Sequence, residues 1–379
     1  MPESHKLQHP DHSTLSAVQL IEEFGESLKL SHISGPLDSA AAQNLSSPSL
    51  CNAQSLVFTG EAKHLQALLS RRESHHPPPA IAILSPALVG SLTAEHQSYL
   101  ERTCLLQTPK VTLALALISR KYFAPNFFRK AFDSDVPIHP TAAIHPSARV
   151  DPKALVGPYA VIGPDVVIES GAVVGSHCHV EEGAWVKARS HLHSNVYLGP
   201  QTQVGEDCEI HPFSCIGTEG FGYAHDDLGQ HHRIPHLGRV ILEDGVHIGA
   251  NVSMDRGTLE DSVVGSGTKI DNHCHFGHNF RCGKNCLITG GFISAGSVTL
   301  GDQVVVGGRT TVSGHLEVAS HVQLAGLTGV PKTLTEPGAY GGYPPQPVKE
   351  HLRTTASLTH LPEMRKDLAR IKKHLKLDN

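Results

Sequence analysis

Residues 138–174 decide the fold, and they read IHPTAAIHPSARVDPKALVGPYAVIGPDVVIESGAVV. Every sixth residue of this stretch is aliphatic: Ile138, Ile144, Val150, Val156, Ile162, Ile168 and Val174. An α-helix repeats about every 3.6 residues and a half-buried strand every two, so neither explains a strict period of six. This period is typical of a hexapeptide β-helix, in which each hexad supplies one short strand and one turn.

The period continues outward to Ile216, is interrupted at residues 217–241, and returns for three hexads from Leu242. After a slip of four residues it resumes at Val264 and runs to Val330. Three hexads close one triangular coil, and successive coils stack as parallel strands about 4.8 Å apart. The 29 hexads therefore predict a mainly β fold, a left-handed parallel β-helix over residues 138–330 with between nine and ten coils.

Residues 1–137 precede the β-helix and lack its period. Apolar spacing predicts a helix over residues 15–25 and a mostly helical segment over residues 111–128. An apolar run predicts a buried strand over residues 80–84. Together these elements indicate a small α/β domain, in which residues 55–69 are either a ligand-binding loop or a plain surface turn.

Residues 331–379 follow the β-helix as a C-terminal helical extension. The segment 335–338 predicts a capping turn that leads away from the β-helix, and a helix is expected from Pro362. Its apolar stripe consists of Met364, Leu368, Ile371 and Leu375, and its other face carries Arg365, Lys366, Arg370, Lys372, Lys373 and Lys376. Such a helix either offers its cationic face to an acidic partner or serves as an oligomerisation helix.

The composition disfavours several classes of function. The formal net charge is -5 with His neutral, so nothing favours a nucleic acid partner. The first residues are polar and include no apolar segment, so we expect no signal peptide. The longest apolar run, residues 111–119, is too short to cross a bilayer, and a cytoplasmic location is the expectation.

Cysteine and histidine usage predicts neither a disulfide nor a metal site. The eight cysteines form no CxxC pair, and five of them occupy small or inward positions of the hexads, which favours buried free thiols. The 28 histidines lie mostly in loops or at outward positions. The pair His231 and His232 falls in the interruption of the period.

The interruption at residues 217–241 is the first candidate for substrate contact. It contains the sequence Gly220-Phe221-Gly222-Tyr223 and, near its end, Arg239. Insertions leave the wall of a solenoid as loops and commonly form its binding face. Glycines beside aromatic rings let a ligand approach the backbone while the rings supply contact area. The alternative is a packing plug that binds no ligand.

The densest polar chemistry of the regular wall lies at residues 271–279. His278 should point outward, and Gly296 follows eighteen residues later, one coil on. A neutral imidazole can take a proton from an attacking amine or hydroxyl, and a backbone N–H about 4.8 Å away by strand spacing can stabilise an oxyanion. His315 falls on the same wall, and Asp271 lies in the preceding turn, where it could orient the imidazole.

On these residues the chain resembles the UDP-3-O-acylglucosamine N-acyltransferase family, which acts in the third step of lipid A synthesis. The matching segments, in the family's order, are Gly220-Phe221-Gly222-Tyr223, Ile234-Pro235 with Gly238-Arg239-Val240, Asp255-Arg256-Gly257, Ile270-Asp271-Asn272 with His278-Asn279, Ala295-Gly296-Ser297, Gly314-His315 and Thr335-Glu336-Pro337-Gly338. The resemblance spans residues 138–347, and a preceding α/β domain and a C-terminal helix also agree with the family.

The resemblance implies a homotrimer with sites between neighbouring β-helices. It would move a 3-hydroxyacyl group from acyl carrier protein to the 2-amine of UDP-3-O-acylglucosamine. His278 would be the general base, the Gly296 N–H the oxyanion donor, His315 a second polar group and Asp271 an assistant to His278. No metal or diffusible cofactor is implied beyond the phosphopantetheine arm of the donor. Acyl carrier protein is acidic, which would give the basic C-terminal helix a partner.

The resemblance also implies substrate-binding residues. They are Phe58, Lys63 and His64 in the first domain, and Phe221, Tyr223, Arg239, Asn279 and Lys332 in the later ones. The family's nucleotide motif reads F-x-x-N-P-K-Y, and here Glu61 and His64 replace its Asn and Tyr. A carboxylate at that position would repel a diphosphate. Gly329 stands where a bulky residue would limit the acyl groove, which implies a longer or differently shaped acyl chain.

Four other functions stay open at this point. The O-acyltransferase of the first lipid A step starts its β-helix near residue 1, whereas 137 residues come first here. A divergent hexapeptide acyltransferase, acting on another nucleotide-sugar amine or using acyl-CoA, is kept open by Glu61 and His64. A γ-carbonic anhydrase-like metal site is disfavoured because His273, His275 and His278 share one strand. A non-catalytic structural trimer is disfavoured by the matching segments.

Overall fold

The protein is described by a computed structural model that covers residues 7–8, 14–123 and 136–375. The chain divides into two compact units, residues 1–133 and residues 134–379. The β-helix and the extension predicted from residue 331 both belong to the second unit. The end of the helical segment predicted at residues 111–128 lies outside the described residues.

The first unit is built on a six-stranded mixed sheet. Its four central strands run parallel, and its two edge strands run antiparallel to their neighbours. In sheet order the strands are Leu7–Gln8, Asn44–Leu45, Ser55–Thr59, Ile81–Leu84, Cys104–Gln107 and Ser31–Ser34, and Leu15–Ser16 pairs separately with Ala41–Ala42. The helices are α1 (Ala17–Leu28), α2 (Ala62–Leu69), α3 (Pro86–Gly90), α4 (Ala94–Tyr99) and α5 (Val111–Tyr122), with a 3-10 turn at Ser70–Arg72. This is the small α/β fold that the sequence predicted.

The predicted elements of the first unit are partly right. Helix α1 begins two residues later than predicted because the Ser16 hydroxyl caps it, accepting a hydrogen bond from the Gln19 N–H at 3.1 Å. It ends three residues later than predicted, where Lys29 takes a left-handed backbone with φ of 52°. The strand expected at residues 80–84 is confirmed. The loop expected at residues 55–69 is wrong, because this segment is a buried strand followed almost at once by α2.

The second unit is a parallel β-helix with three walls, as predicted. The first wall consists of Arg149–Val150, Val167–Ile168, Trp185–Val186, Gln203–Val204, Val240–Leu242, Ser262–Val264, Arg281–Cys282, Thr299–Leu300 and Glu317–Val318. The second wall consists of Leu155–Val156, Val173–Val174, His191–Leu192, Glu209–Ile210, His247–Ile248, Lys269–Ile270, Leu287–Ile288, Val305–Val306, Val322–Leu324, Gly338–Gly341 and Gln346–Pro347. The third wall consists of Ala143–Ile144, Val161–Ile162, His179–Val180, Tyr197–Leu198, Cys215–Thr218, Ser253–Asp255, His275–Phe276, Ile293–Ser294, Thr311–Val312 and Gly329–Val330.

One regular coil takes eighteen residues. Arg149 pairs with Val167 on the first wall, for example, and His275 pairs with Ile293 on the third. The residue at every sixth position points inward, and these side chains form one continuous core along the β-helix. Burial of each such aliphatic side chain stabilises the fold by roughly 1.5–3 kcal/mol. All eight cysteines of the chain are free thiols, as predicted, and five of them are buried in this core.

The strand ladder needs no backbone N–H from the second residue after each inward side chain. The residue before it donates to the next coil instead, as Ala295 N–H does to the Val312 carbonyl at 3.0 Å. Proline, which has no N–H, therefore fits this register position. It stands there at Pro146, Pro152, Pro158, Pro164, Pro200 and Pro212. His278 and Gly296 occupy the same register position on the third wall.

Two insertions interrupt the regular coil. Gln203 pairs with Ile241, 38 residues on, so about twenty residues are added there. Leu242 pairs with Val264, 22 residues on, so about four more are added. We call residues 219–239 the hairpin insertion, because they contain the antiparallel strands Tyr223–His225 and His231–Arg233. We call residues 256–261 the short insertion.

The segment after Val330 extends the β-helix. Gly338–Gly341 pairs in parallel with Val322–Leu324 on the second wall, and Gln346–Pro347 then pairs antiparallel to it. The turn predicted at residues 335–338, leading away from the β-helix, is therefore wrong: the chain adds strands to the wall before it leaves.

Two helices end the described chain, α6 (Val348–Leu358) and α7 (Leu361–His374). The helix predicted from Pro362 is thus confirmed, although Lys376 lies outside the described residues. The whole apolar stripe of this segment is exposed, by 57% at Met364, 55% at Leu368, 52% at Ile371 and 57% at Leu375. Within residues 14–123 and 136–375, no helix combines the length and apolarity needed to cross a membrane.

Candidate active site

The turn after the third-wall strand His275–Phe276 carries His278, and the following coil places Gly296 directly against it. The register of His275 with Ile293 sets these two positions one above the other. A Cβ added to Gly296 would lie 2.5 Å from His278 Nε2, so only glycine leaves room for the imidazole in its present position. The structure therefore brings together the two residues that the sequence predicted as a base and an oxyanion donor.

Asn279 determines which nitrogen of His278 carries the proton. The Thr258 N–H donates to Asn279 Oδ1 at 3.0 Å, and because an N–H can only donate, the atom that faces it is the amide oxygen. That same oxygen lies 2.9 Å from His278 Nδ1. His278 Nδ1 must therefore be the donor in this bond. In the neutral imidazole the lone pair is then on Nε2, the atom that faces Gly296.

The amide of Asn279 is itself held by the short insertion. The Thr258 hydroxyl donates a second hydrogen bond to Asn279 Oδ1 at 3.1 Å, and Asn279 Nδ2 donates to the Glu260 carbonyl at 3.4 Å. Asn279 also takes a left-handed backbone with φ of 58°, which asparagine tolerates better than most residues. The short insertion thus fixes the imidazole through Asn279.

The N–H of Gly296 is available for an external acceptor. Its register position is one that the strand ladder leaves unused, and no atom of the described residues accepts a hydrogen bond from it. Next to it, the Gly296 carbonyl accepts from the His315 N–H at 3.1 Å. His315 is therefore the neighbour of Gly296 on the following coil, with an exposed side chain.

The structure does not bring Asp271 to His278. Asp271 Oδ2 accepts from the Gly290 N–H at 2.9 Å, and Oδ1 accepts from the Asn272 N–H at 2.7 Å. The carboxylate thus ties the turn at residues 271–272 to the next coil. Asn279, and not Asp271, is the side chain that orients His278.

His236 of the hairpin insertion is a buried neighbour of His278 that the sequence did not reveal. Its ring is 4% exposed and meets the His278 ring edge to face, with centroids 5.2 Å apart. Gly220 and Gly222 make this approach possible, because an added Cβ at either would lie 2.9 Å from the His236 ring. Neither ring nitrogen of His236 has a hydrogen-bond partner among the described residues. Burial, and then the neighbouring His278, lower the pKa of His236, which favours the neutral ring.

Asp255 and Arg256 are buried charged residues near His236 and His278. Burial raises the pKa of the Asp255 carboxyl, while the nearby His275 and a hydrogen bond from the Thr218 hydroxyl, at 3.3 Å, oppose that rise. Arg256 is 9% exposed and donates from Nε to the Gly238 carbonyl at 2.6 Å. The Arg256 contact joins the start of the short insertion to the hairpin insertion.

The other predicted substrate-binding residues of the second unit are dispersed. Phe221 is 84% exposed and Tyr223 45% exposed, with ring centroids 5.1 Å apart on the hairpin insertion. Arg239 pairs with Asp261, donating to its carboxylate from Nε at 3.2 Å, so it ties the two insertions together. Lys332 is exposed beyond the third wall.

The first unit does not present its three predicted residues together. Phe58 is 8% exposed and packs in the core of that unit. Lys63 forms an exposed ion pair with Glu61 at 2.8 Å, immediately before and within the first turn of α2. His64 is exposed on the same helix. Spacing along the chain matched these residues to a motif, but it could not show that Phe58 faces inward.

Tyr343 takes up the room that Gly329 leaves on the third wall. A Cβ added to Gly329 would lie 2.4 Å from Tyr343 Cδ2. The bulky group that the sequence lacks at position 329 is therefore supplied from the segment after the β-helix. On the same wall, Thr311 pairs with Gly329 on one side and with Ile293 on the other. Ile293 is 49% exposed.

The site as a whole is suited to acyl transfer. It offers an imidazole with its lone pair on Nε2, fixed by an amide, and a free backbone N–H one coil on. The sequence prediction missed His236, Thr258 and a second group of polar residues. That group is His191, His193 and Glu209 on the second wall, whose ligand atoms all lie within 4.8 Å of one another.

Comparison with known proteins identifies related chains. A protein of Methylococcus capsulatus named UDP-3-O-acylglucosamine N-acyltransferase is 35% identical over 324 residues, which is 85% of this chain and 87% of that protein. Proteins of the same name from Coxiella burnetii and Methylorubrum populi are 39% identical over 183 residues and 38% identical over 160 residues. These two matches cover 48% and 42% of this chain, and 54% and 45% of the relatives' own length.

Two further comparisons cover parts of the β-helix. Residues 138–220 match the family described as the GMPPB C-terminal domain. Among solved structures, LpxA of Acinetobacter baumannii is 24% identical, with a TM-score of 0.41 over 58% of this chain and 77% of that one. UDP-N-acetylglucosamine acyltransferase of Francisella novicida is 22% identical, with a TM-score of 0.40 over 54% and 66%. Likeness at these scores carries no argument of its own.

Proposed function

This chain belongs to the UDP-3-O-acylglucosamine N-acyltransferase family, and on that premise we propose the reaction that it catalyses. It moves a 3-hydroxyacyl chain from acyl carrier protein to the 2-amine of UDP-3-O-acylglucosamine in lipid A synthesis. His278 is the general base. The observation that carries this proposal is the orientation of His278: Asn279 accepts from Nδ1, which leaves the lone pair on Nε2, the ring atom that a Cβ on Gly296 would approach to 2.5 Å.

The proposed chemistry uses these groups in order. The amine attacks the thioester carbonyl, a C–N bond forms, and His278 Nε2 takes the proton that the amine loses. The Gly296 N–H donates to the oxyanion of the tetrahedral intermediate. When the C–S bond breaks, the imidazolium returns its proton to the leaving thiolate of the phosphopantetheine arm. His315, next to Gly296, contacts substrate or intermediate.

The donor and the assembly are further parts of the proposal. The basic side chains of α7, such as Arg365, Lys366 and Lys372, form a cationic surface for the acidic acyl carrier protein. The homotrimer is the assembly that the family resemblance implies, and the exposed apolar stripe of α7 is consistent with self-association because another copy could cover it. No resident cofactor is needed besides the phosphopantetheine of the donor, and a cytoplasmic location stays a prediction.

One observation favours a second candidate, a paralogue that acylates another nucleotide-sugar amine. Phe58 is buried and Lys63 is paired with Glu61, so the first unit does not present the family's nucleotide motif. Phe58, Lys63 and His64 then remain substrate-binding residues only by prediction. The same holds in the second unit for four residues whose contact with substrate is also only a prediction: Phe221, Tyr223, Arg239 and Lys332.

The experiment is acyl transfer from 3-hydroxyacyl carrier protein to UDP-3-O-acylglucosamine, followed by mass spectrometry. We expect transfer by the wild type and a rate about 100-fold lower in His278→Ala, the scale for loss of a general base. His273→Asn is the matched control, since His273 is an exposed histidine of the same segment. Equal rates in His278→Ala and wild type would contradict the role of His278. A folded wild type that acylates only a different acceptor would support the paralogue.

A further inference from the structure

The second wall carries a group of imidazoles around one carboxylate, far along the chain from His278. We call His191, His193, Glu209 and His211 the His–Glu cluster. Its geometry follows from the eighteen-residue coil: His191 pairs in register with Glu209, and the same spacing sets His193 below His211. His247 comes next in register above Glu209. A pattern H-x-H followed one coil later by E-x-H is thereby folded into a single patch.

Distances within the His–Glu cluster are short. His193 Nε2 lies 2.8 Å from Glu209 Oε1, and His211 Nε2 lies 3.5 Å from the same oxygen. The His191 and His193 rings stack with centroids 4.2 Å apart, and the His193 and His211 rings stack at 4.4 Å. The stacked rings are tilted by only 13° in each pair, and the ligand atoms of His191, His193 and Glu209 lie within 4.8 Å of one another.

The donor set fits a transition-metal ion better than it fits a salt bridge alone. A single imidazole would satisfy Glu209, yet three gather around it. Two imidazoles and one carboxylate are ligands that Zn²⁺ binds with a further position open. Tetrahedral ligands at Zn²⁺ distances lie about 3.3 Å apart, so the pair at 2.8 Å would separate by about 0.5 Å. The side chains are partly buried, with His193 21% and Glu209 36% exposed.

We propose that His191, His193 and Glu209 bind one divalent transition-metal ion of the Zn²⁺ class. The ion takes the place of the hydrogen bond between His193 Nε2 and Glu209 Oε1, and the neutral His193 imidazole then carries its proton on Nδ1. Because His191 and His193 belong to one coil and Glu209 to the next, the ion joins two neighbouring coils of the β-helix. The site lies on the second wall, whereas His278 lies on the third, so the proposal does not depend on the acyltransferase proposal.

The test uses the full-length protein, treated with EDTA and dialysed. Titration with Zn²⁺ is followed by calorimetry, and titration with Co²⁺ by visible absorption, which reports tetrahedral nitrogen and oxygen ligands. We expect one ion per chain and a higher thermal midpoint with Zn²⁺. His193→Gln should weaken Zn²⁺ binding by at least about tenfold, the loss that even an outer-shell change produces, and should abolish the rise in midpoint.

Two further variants keep the test decisive. Glu209→Gln removes the carboxylate while preserving its shape, and should give the same loss as His193→Gln. His231→Gln is the matched control, because His231 pairs with His225 on the exposed hairpin insertion at 2.7 Å. Unchanged binding in both His193→Gln and Glu209→Gln would overturn the proposal. So would a loss of binding in His231→Gln, or no detectable binding by the wild type. If His193→Gln melts early in EDTA, Glu209→Gln and the Co²⁺ spectrum of the wild type decide the result.

Discussion

Replacing Gly296 with alanine should remove most of the catalytic rate while leaving the fold intact. The new Cβ would lie 2.5 Å from His278 Nε2 and 2.6 Å from Cε1, whereas ordinary carbon contacts begin near about 3.5 Å. The imidazole must therefore move by about 1 Å. A misplacement of that size in a catalytic group lowers the rate by about 100-fold, or about 2.7 kcal/mol of activation free energy.

The fold should tolerate this methyl group. The backbone of Gly296 is not left-handed, and the atoms that the methyl meets belong to the end of a half-buried side chain. We expect the free energy of unfolding to change by less than about 1 kcal/mol. Gly308→Ala is the matched control, because Gly308 has the same register position and its added Cβ would come no closer than 3.4 Å to the Gly290 carbonyl.

The assay is steady-state acyl transfer, with thermal unfolding measured on the same samples. We expect kcat to fall in Gly296→Ala, KM to change little, and Gly308→Ala to behave as wild type. A Gly296→Ala protein that folds normally and turns over at the wild-type rate would refute the reasoning, because the space against His278 would then be irrelevant to catalysis.

Three other changes test separate parts of the structure. Asn279→Gly removes the acceptor for His278 Nδ1 without strain at φ of 58°, and should lower kcat by about 10–100-fold. Asn279→Asp keeps an acceptor oxygen and should retain most activity. Equal kcat in the two variants would contradict the orienting role of Asn279. Tyr343→Ala opens the third wall at Gly329 and should shift acyl preference towards longer chains in a donor series, so an unchanged profile would speak against that boundary. Burial, and then His193, lower the pKa of His191 from 6.5 to about 4. As pH falls, His191 is therefore protonated in the unfolded chain before it is protonated in the folded protein. The protein should lose stability as pH falls from 6.5 to about 4. In EDTA, His191→Gln should therefore lose less of its thermal midpoint across that range than the wild type, and equal losses would contradict the assignment.

The regular part of the fold could be predicted from the sequence because one rule repeats. An aliphatic residue at every sixth position determines the walls, the eighteen-residue coil and the buried cysteines. The same rule places Gly296 against His278, since the two residues are one coil apart and share a register position. It also contains the H-x-H and E-x-H pattern of the His–Glu cluster, which the eighteen-residue spacing brings together.

The rest depends on contacts that no period encodes. The approach of His236 to His278 depends on the path of the hairpin insertion, and the acceptor role of Asn279 depends on where the short insertion places Thr258. Asp271 was predicted near His278 because it is close in sequence, but the turn points its carboxylate at the next coil. Phe58 matched a motif by spacing alone, and its burial is a property of the folded sheet.

The two insertions also bear on how such a protein could arise. A duplication or deletion of eighteen residues changes the length of the β-helix by one coil and preserves every ladder, so it alters size without altering register. Additions of about twenty and four residues cannot be absorbed in that way and must leave the wall. They are the segments that bring His236 and Thr258 to the wall beside His278. The insertions can thus change independently of the regular coils, and a relative that lost either insertion would keep the fold, His278 and Gly296 while losing the residues that surround His278.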